Sequence, residues 1–147
     1  MTVRFEVLGI PTPQGSKSRM QNGALLEGRS TAQRQAHQSW RTAVAEAARA
    51  QAEVHGKLDG PLTLDVSFRF PMPASRSKAV RVIGWAWKTS APDLDKLVRS
   101  VGDALKIGGL IADDSRFAGI HARKLEVASW TGAIVTVRPM HSWELAA

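Results

Sequence analysis

Residues 92–114 read PDLDKLVRSVGDALKIGGLIADD, a stretch that joins a helical apolar pattern to an unusual density of aspartates. Its apolar residues recur every three or four positions, as they do along one face of an α-helix. They are Leu94, Leu97, Val98, Val101 and Leu105. Gly108 and Gly109 follow directly and are typical of a helix end. The stretch therefore predicts an amphipathic helix over residues 93–107.

The same stretch carries five carboxylates within 22 residues: Asp93, Asp95, Asp103, Asp113 and Asp114. A single aspartate at a helix start gains about 0.3–1 kcal/mol, and helix capping is the simplest explanation of Asp93 alone. Two carboxylates about 4 Å apart repel by about 4 kcal/mol at an effective dielectric near 20, which outweighs that gain. A hard cation among them removes the cost. Oxygen ligands without His or Cys indicate Mg²⁺ or Mn²⁺ rather than zinc.

The length of the intervening chain limits how the second acidic pair can meet the first. From Asp95 to Ile107 the predicted helix advances about 18 Å. Residues 107–114 span about 23–25 Å when nearly extended. Asp114 can therefore return to the helix start of its own chain, or it can serve the site of a partner subunit. Both alternatives stay open.

Arg99 lies four residues after Asp95 and shares its helix face. It is suited to hold a scissile phosphate or to stabilise charge that develops in a transition state. The alternative is an ordinary salt bridge within the helix. Asp103 extends the same face, and we predict that it supports the site from outside rather than binding metal.

The rest of the chain predicts one α/β (α+β) domain over residues 1–147, with a small mixed β-sheet and two main helices packed on it. Apolar alternation predicts strands over residues 3–8 and 62–70, and a terminal hairpin of residues 117–128 and 132–138. The other main helix runs from Ser30 or Thr31 to about Val54. Residues 9–30 and 71–91 are predicted to be basic loops. The element order is β-α-β-α-β-β.

Charge and composition bound the function. The 147 residues include 20 Lys and Arg against 13 Asp and Glu, which gives a net charge of +7 and favours nucleic acid as a partner. The absence of Cys excludes a disulfide framework and a thiolate metal site. No apolar run approaches the roughly 18 residues of a membrane span, and the N-terminus lacks the n-region, h-region and cleavage site of a signal peptide. We expect a cytoplasmic protein with no membrane partner.

Six basic side chains in the predicted loops are candidates for DNA contacts: Lys17, Arg19, Arg76, Lys78, Arg81 and Lys88. The loop with Lys17 is not a Walker A motif, since the lysine does not follow the last glycine, and no nucleotide cofactor is expected. Trp85 and Trp87 are interleaved with the second basic loop. We expect them to pack, because large aromatic residues usually bury area, although stacking on exposed bases is the alternative.

Together these residues resemble the RusA family of Holliday junction resolvases, small endonucleases common in phages and prophages. The resemblance covers Asp93-Leu94-Asp95, a basic residue six positions after Asp93, Asp103-Ala104-Leu105, and a glycine-containing turn into Asp113-Asp114. It implies that Asp93, Asp95 and Asp114 are essential metal-binding carboxylates with Asp113 beside them, holding Mg²⁺ or Mn²⁺. It also implies a homodimer that nicks four-way junctions symmetrically and leaves 5′-phosphate and 3′-hydroxyl ends. A phage-encoded chain would act in the cytoplasm of the bacterial host.

Two departures from the family pattern bear on the mechanism. Arg99 stands where the family typically has lysine, and Lys96 stands where asparagine is frequent. Arginine keeps the charge but does not transfer protons at neutral pH. Another metal nuclease of the PD-(D/E)xK type, using Pro92-Asp93 and Asp114-Ser115-Arg116, is one alternative. A non-catalytic phage DNA-binding protein is the other.

Overall fold

The structure, a computed structural model, describes residues 1–15, 17–19, 25–27 and 31–146, with the backbone alone for 17–19 and 25–27. It contains one five-stranded sheet, a small two-stranded sheet and two long helices. Within the described ranges, no helix is long and apolar enough to cross a membrane. The strands are β1 (Val3–Leu8), β2 (Lys17–Arg19), β3 (Leu25–Glu27), β4 (Leu62–Pro71), β5 (Trp85–Trp87), β6 (Phe117–Val127) and β7 (Gly132–Pro139). The helices are α1 (Thr31–His55), α2 (Lys78–Ile83) and α3 (Leu94–Ile107), with 3₁₀ turns at Asp114–Arg116 and Ser142–Ala146.

The five-stranded sheet has the order β1-β7-β4-β6-β5. Strand β4 is central, and it pairs in parallel with β6 and antiparallel with β7. Edge strand β1 pairs with β7, and edge strand β5 pairs with the last residues of β6. The mixed sheet confirms the predicted fold class.

Both long helices cover the same face of the sheet. Strand β4 buries Leu64, Val66 and Phe68 on that face, and α1 and α3 complete the core. The helix residues in this core are Trp40, Val44, Ala48, Leu97, Val101, Ala104 and Leu105. Each valine or leucine among them stabilises the fold by about 1.5–3 kcal/mol when fully buried. We call the opposite side, which carries the alternate residues of β4 and β6, the open face.

The end of α3 lies against α1 at Gly108. A Cβ there would overlap the carbonyl oxygen of Ala45 and lie 2.8 Å from the Cβ of Ala48. The backbone of Gly108 is right-handed, so its role is steric. A larger residue would push the two helices apart.

Two sequence predictions about the second half of the chain are wrong. Strands β6 and β7 do not form a hairpin, because β4 lies between them and the link of residues 128–131 crosses its end. Residues 71–91 are not a loop throughout. Helix α2 begins after Ser77, whose hydroxyl accepts a hydrogen bond from the Val80 N–H at 3.3 Å, and β5 pairs with β6.

A third prediction, in the first half of the chain, is also wrong in part. Residues 9–30, also predicted as loop, include the paired strands β2 and β3.

Candidate active site

The start of α3 is tied to the sheet by Lys124 of β6. The Lys124 Nζ donates hydrogen bonds to the carbonyl oxygens of Ser90 at 2.9 Å and Pro92 at 2.8 Å. These bonds hold the segment that leads into Asp93. Asp93 occupies the N-cap position, but its side chain makes no capping hydrogen bond and is 68% exposed. The capping explanation of Asp93 is therefore wrong, and the carboxylate lies 3.8 Å from the Lys96 ammonium.

One face of α3 presents Asp95, Arg99 and Gly102 in successive turns. The spacing of four and three residues places them in one row, with about 10 Å of helix axis between Asp95 and Gly102. Gly102 has a packing role in this row, since a Cβ there would lie 3.6 Å from the Cβ of Asp114. The chain after α3 therefore runs back along its own helix. Asp114 lies beside the middle of that helix, two turns away from Asp95.

Three contacts return the chain to α3. Gly109 has a positive φ of 81°, and the segment after it forms a parallel bridge between Ile111 and Leu58. The carboxylate of Asp113 then accepts hydrogen bonds from the Lys106 ammonium at 2.7 Å and the Ser115 N–H at 3.0 Å. Arg116 closes the turn by donating to Asp59 at 2.6 Å. The 3₁₀ turn that carries Asp114 is thus held at both ends.

The pKa of Asp113 is shifted strongly by these contacts. The Lys106 ammonium, with the Ser115 N–H, holds the pKa of the Asp113 carboxyl far below its usual value. The same ion pair raises the pKa of Lys106. Asp113 is therefore ionised and paired, and its role in the structure is to fix the turn before Asp114.

A cavity of about 680 Å³ lies between this row on α3 and the edge of β6. Its polar lining consists of Asp95, Arg99 and Asp114, none of which has a side-chain hydrogen bond or ion pair in the described part of the chain. Its walls are apolar: Leu64, Leu94, Val98, Phe117, Ile120 and Ala122. Two carboxylates and one guanidinium therefore face the same space within one chain.

The acids do not form one tight cluster. Across residues 1–15 and 31–146, no three His, Cys, Asp or Glu side chains come close enough together to hold a metal ion. Asp95 and Asp114 line the cavity, whereas Asp93, Asp103 and Asp113 do not. Two unpaired carboxylates still fit Mg²⁺, which binds through one or two carboxylates and completes its shell with water and substrate phosphate.

Comparison with known proteins identifies the family of this chain. The sequence profile of the family described as endodeoxyribonuclease RusA matches residues 9–138, most of the chain. The chain belongs to the RusA family. A curated relative, the crossover junction endodeoxyribonuclease rusA of Lactococcus phage r1t, is 32% identical over 65 residues. That match spans 44% of this chain and 45% of the phage protein, so the chain covers about half of its relative.

Three of the basic residues predicted to contact DNA have structural partners in this RusA-family chain. Arg76 pairs through Nε and Nη2 with Glu126, a carboxylate that is only 1% exposed. Arg81 donates to the carbonyl oxygens of Pro73 at 3.0 Å and Arg76 at 3.3 Å. Lys88 donates to the Ser90 hydroxyl at 3.0 Å and lies over the Phe70 ring. Arg76 therefore neutralises a buried carboxylate, a role that the sequence did not indicate.

The other three basic candidates are Lys78, Lys17 and Arg19. Lys78 is exposed at the start of α2. The side chains of Lys17 and Arg19 lie outside the described part of the structure. Arg123 and Lys124 project to opposite faces of β6. Arg123 pairs with Asp65 on the open face at 2.8 Å, whereas Lys124 bonds to the segment before α3.

The expectation that Trp85 and Trp87 pack in the interior is wrong. They are 43% and 57% exposed on the same side of edge strand β5. The three-residue strand was not predicted, so its two outward positions were not recognised.

Four contributors to the site had no clear signal in the sequence. Lys106 and Lys124 appeared as surface lysines, Gly102 as an ordinary helical residue, and Ile120 as a strand residue. All four act through contacts between segments distant in sequence.

Proposed function

We propose that this chain is an endodeoxyribonuclease that resolves four-way DNA junctions by hydrolysing phosphodiester bonds at the cavity lined by Asp95, Arg99 and Asp114. Membership of the RusA family supports the reaction class, and the phage relative is named a crossover junction endodeoxyribonuclease. The observation that carries the proposal is the cavity itself. It brings two unpaired carboxylates and one guanidinium together on a chain of net charge +7.

Asp95 and Asp114 are the residues that would hold Mg²⁺, or Mn²⁺ in its place. The ion would supply Lewis-acid stabilisation of the negative charge on the reacting phosphate. Asp93 lies next to this pair on the exposed helix start and can join it when DNA displaces Lys96. We assign Asp113 to positioning the Asp114 turn, because its oxygens are already bonded to Lys106 and Ser115.

Arg99 is placed to hold the scissile phosphate. It lies one helical turn after Asp95 and lines the same cavity as both acids. Its N–H groups can donate to non-bridging phosphate oxygens in the fork geometry that arginine provides. In this proposal, arginine replaces the lysine typical of the family as a source of charge, and no proton transfer by this residue is required.

The assembly and location follow from the same proposal. Two copies acting as a homodimer would place two cavities on opposite strands of a four-way junction, so that paired nicks leave ends that can be ligated. The protein would act in the cytoplasm, which for a phage-encoded chain is that of the bacterial host.

The proposed PD-(D/E)xK alternative requires a free basic side chain at Arg116. Arg116 donates to Asp59 at 2.6 Å, and this hydrogen bond raises the pKa of the guanidinium. Since that contact fixes the end of the Asp114 turn, the RusA assignment with Arg99 in the cavity is the better explanation.

Neutral substitutions at the two cavity carboxylates test the assignment. We expect Asp95→Asn and Asp114→Asn to bind a labelled synthetic four-way junction as the wild type does, and to cut it at least 100-fold more slowly. Asp103→Asn is the matched control, because it lies on the same helix outside the cavity lining. It should cut at nearly the wild-type rate.

Gel-shift and cleavage assays on the same preparations separate the outcomes. Loss of binding together with cutting in both cavity variants would show that the two aspartates are structural. Full cutting by both variants would show that the reaction occurs elsewhere on the molecule.

A further inference from the structure

Strand β5 carries a cleft that the proposed reaction does not use. Trp85 and Trp87 project from the same side of this edge strand, and their register partners on β6 are Val127 and Leu125. These four side chains border a cleft of about 590 Å³ on the open face, away from the carboxylate cavity. We propose that this cleft binds a nucleotide of an unpaired DNA strand, with its base stacked on the tryptophans and its phosphate at Arg69. The inference builds on the proposed action on branched DNA.

The tryptophans are arranged to accept a flat ring. Their ring centroids are 5.1 Å apart with planes at 81°, so the pair is edge to face. In that arrangement one ring cannot cover the other, and indole faces stay open to a third partner. Exposed fractions of 43% and 57% are high for side chains whose burial would otherwise stabilise the fold. The apolar floor of Leu125 and Val127 suits the same ligand surface.

Arg69 supplies the positive charge at the rim. Its Nε donates to the Trp130 carbonyl oxygen at 3.1 Å, its Nη2 donates to the Ser129 hydroxyl at 2.7 Å, and its guanidinium lies 4.2 Å from the centroid of the Trp130 ring. These contacts fix the guanidinium and use two of its five N–H donors. The remaining donors are available to an anion.

The charge of the cleft favours a nucleotide over an apolar peptide. Its lining contains one arginine and no carboxylate, and the whole chain carries a net charge of +7. An aromatic surface with a cation beside it is the combination that binds single-stranded nucleic acid through base stacking and phosphate contacts. A second copy of this basic chain would bring like charges together at the same cleft.

The cleft is also joined to the carboxylate cavity. The segment after Trp87 leads in six residues to Asp93, and Lys124 bonds to Ser90 and Pro92 within it. The Lys88 N–H donates to the Lys124 carbonyl oxygen at 3.1 Å, so the segment is also tied to β6 at its beginning. A DNA strand bound at the tryptophans would therefore lie at a fixed position relative to the start of α3.

The proposal is tested by a binding measurement with a fluorescein-labelled oligothymidine of about 10 nucleotides. Binding is measured by fluorescence anisotropy in EDTA. We expect Trp85→Ala and Trp87→Ala to weaken binding by about tenfold each, and Trp87→Phe to retain most of it, because a ring remains. Trp143→Ala is the matched control, since Trp143 is 66% exposed and stacks on His141 outside the cleft. It should bind as the wild type does. Circular dichroism and thermal unfolding establish that each variant is folded.

Cleavage of a four-way junction by the wild type with Mg²⁺ is measured in parallel. Unchanged oligothymidine affinity in both folded alanine variants overturns the inference, and wild-type cleavage would then leave the proposed function standing. Weakened binding in these variants without any wild-type cleavage would support the cleft while overturning the nuclease assignment. A dimer that becomes monomeric in Trp87→Ala, with unchanged oligothymidine affinity, would identify the cleft as a subunit contact and overturn the inference.

Discussion

Arg99 is the residue whose surroundings bear most directly on the chemistry. It lies between Asp95 on the preceding turn and Asp114 beside Gly102, and no described residue pairs with it through a hydrogen bond or ion pair. Arginine does not act as a proton-transfer group at neutral pH. In the proposed reaction its contribution is therefore electrostatic, from a guanidinium that lines the cavity.

Substitution at Arg99 separates charge from proton transfer. We expect Arg99→Lys to retain junction cleavage within about tenfold, because the charge remains, and Arg99→Ala to lose about 100- to 1,000-fold, as removal of one transition-state donor typically does. Single-turnover cleavage with Mg²⁺ measures both rates. Equal losses in the two variants would contradict the charge-based role and would require the arginine fork itself.

At the scale of whole elements, the contact between α1 and α3 fixes the platform of the site. Gly108 allows that contact, since a Cβ there would overlap Ala45 and Ala48. We expect Gly108→Ala to lower the free energy of unfolding by about 1–3 kcal/mol through overpacking. Gly102→Ala on the same helix is the matched control, because its Cβ would lie at an ordinary 3.6 Å from Asp114.

Urea unfolding of both glycine variants gives the comparison. The control should be at least as stable as the wild type, because alanine favours a helix by up to about 1 kcal/mol over glycine. If Gly108→Ala were equally stable, α1 and α3 would have room to separate. The helix contact would then not be the tight one described.

The C-terminal 3₁₀ turn predicts a pH dependence. The Arg138 guanidinium, with the His141 N–H, lowers the pKa of Glu144 to about 2 from the usual 4.5. Because the folded pKa is depressed, the contact stabilises the fold fully above pH 4.5, and this contribution is lost as the pH falls toward 2.

Thermal unfolding of the wild type and Glu144→Gln across this pH range checks the sign. The wild type should be the more stable at pH 6, and the two midpoints should converge on acidification. A constant difference down to pH 2 would show that Glu144 stabilises the turn without its charge.

The elements that sequence predicted well are those with strong local periodicity. Helix α3 and strand β4 were predicted nearly to the residue, because their apolar patterns extend over several repeats. Strand pairing is not local, so the insertion of β4 between β6 and β7 was missed. Short α2 and β5 have too few residues for a pattern. Helix α2 is capped by Ser77 and buries no residue, and β5 forms by pairing with β6.

The sequence predicted the chemistry of the candidate site better than it predicted which residues form the site. The sequence could not show which aspartates are already paired with a basic side chain, because it is the fold that brings Lys106 to Asp113. The position of Asp114 relative to α3 also required coordinates. Its contact with Gly102 places it on its own α3.

At the scale of the whole molecule, the two features that we propose to contact DNA are separated. The cavity of Asp95, Arg99 and Asp114 lies on the helix side of β6, and the tryptophan cleft lies on the open face near its end. Glu126 and Asp65 are neutralised by Arg76 and Arg123, so little uncompensated acid remains along β6. This distribution suits a polyanion that follows the edge of the sheet.

We propose that the protein cuts branched DNA by metal-assisted hydrolysis. Incubation of the full chain with a labelled four-way junction, with and without Mg²⁺, tests this proposal, with plain duplex of the same sequence alongside. We expect paired nicks at symmetric positions on opposite strands, with Mg²⁺ only, and little cutting of the duplex. Cutting of junction and duplex at equal rates, or cutting that persists in EDTA, would contradict it.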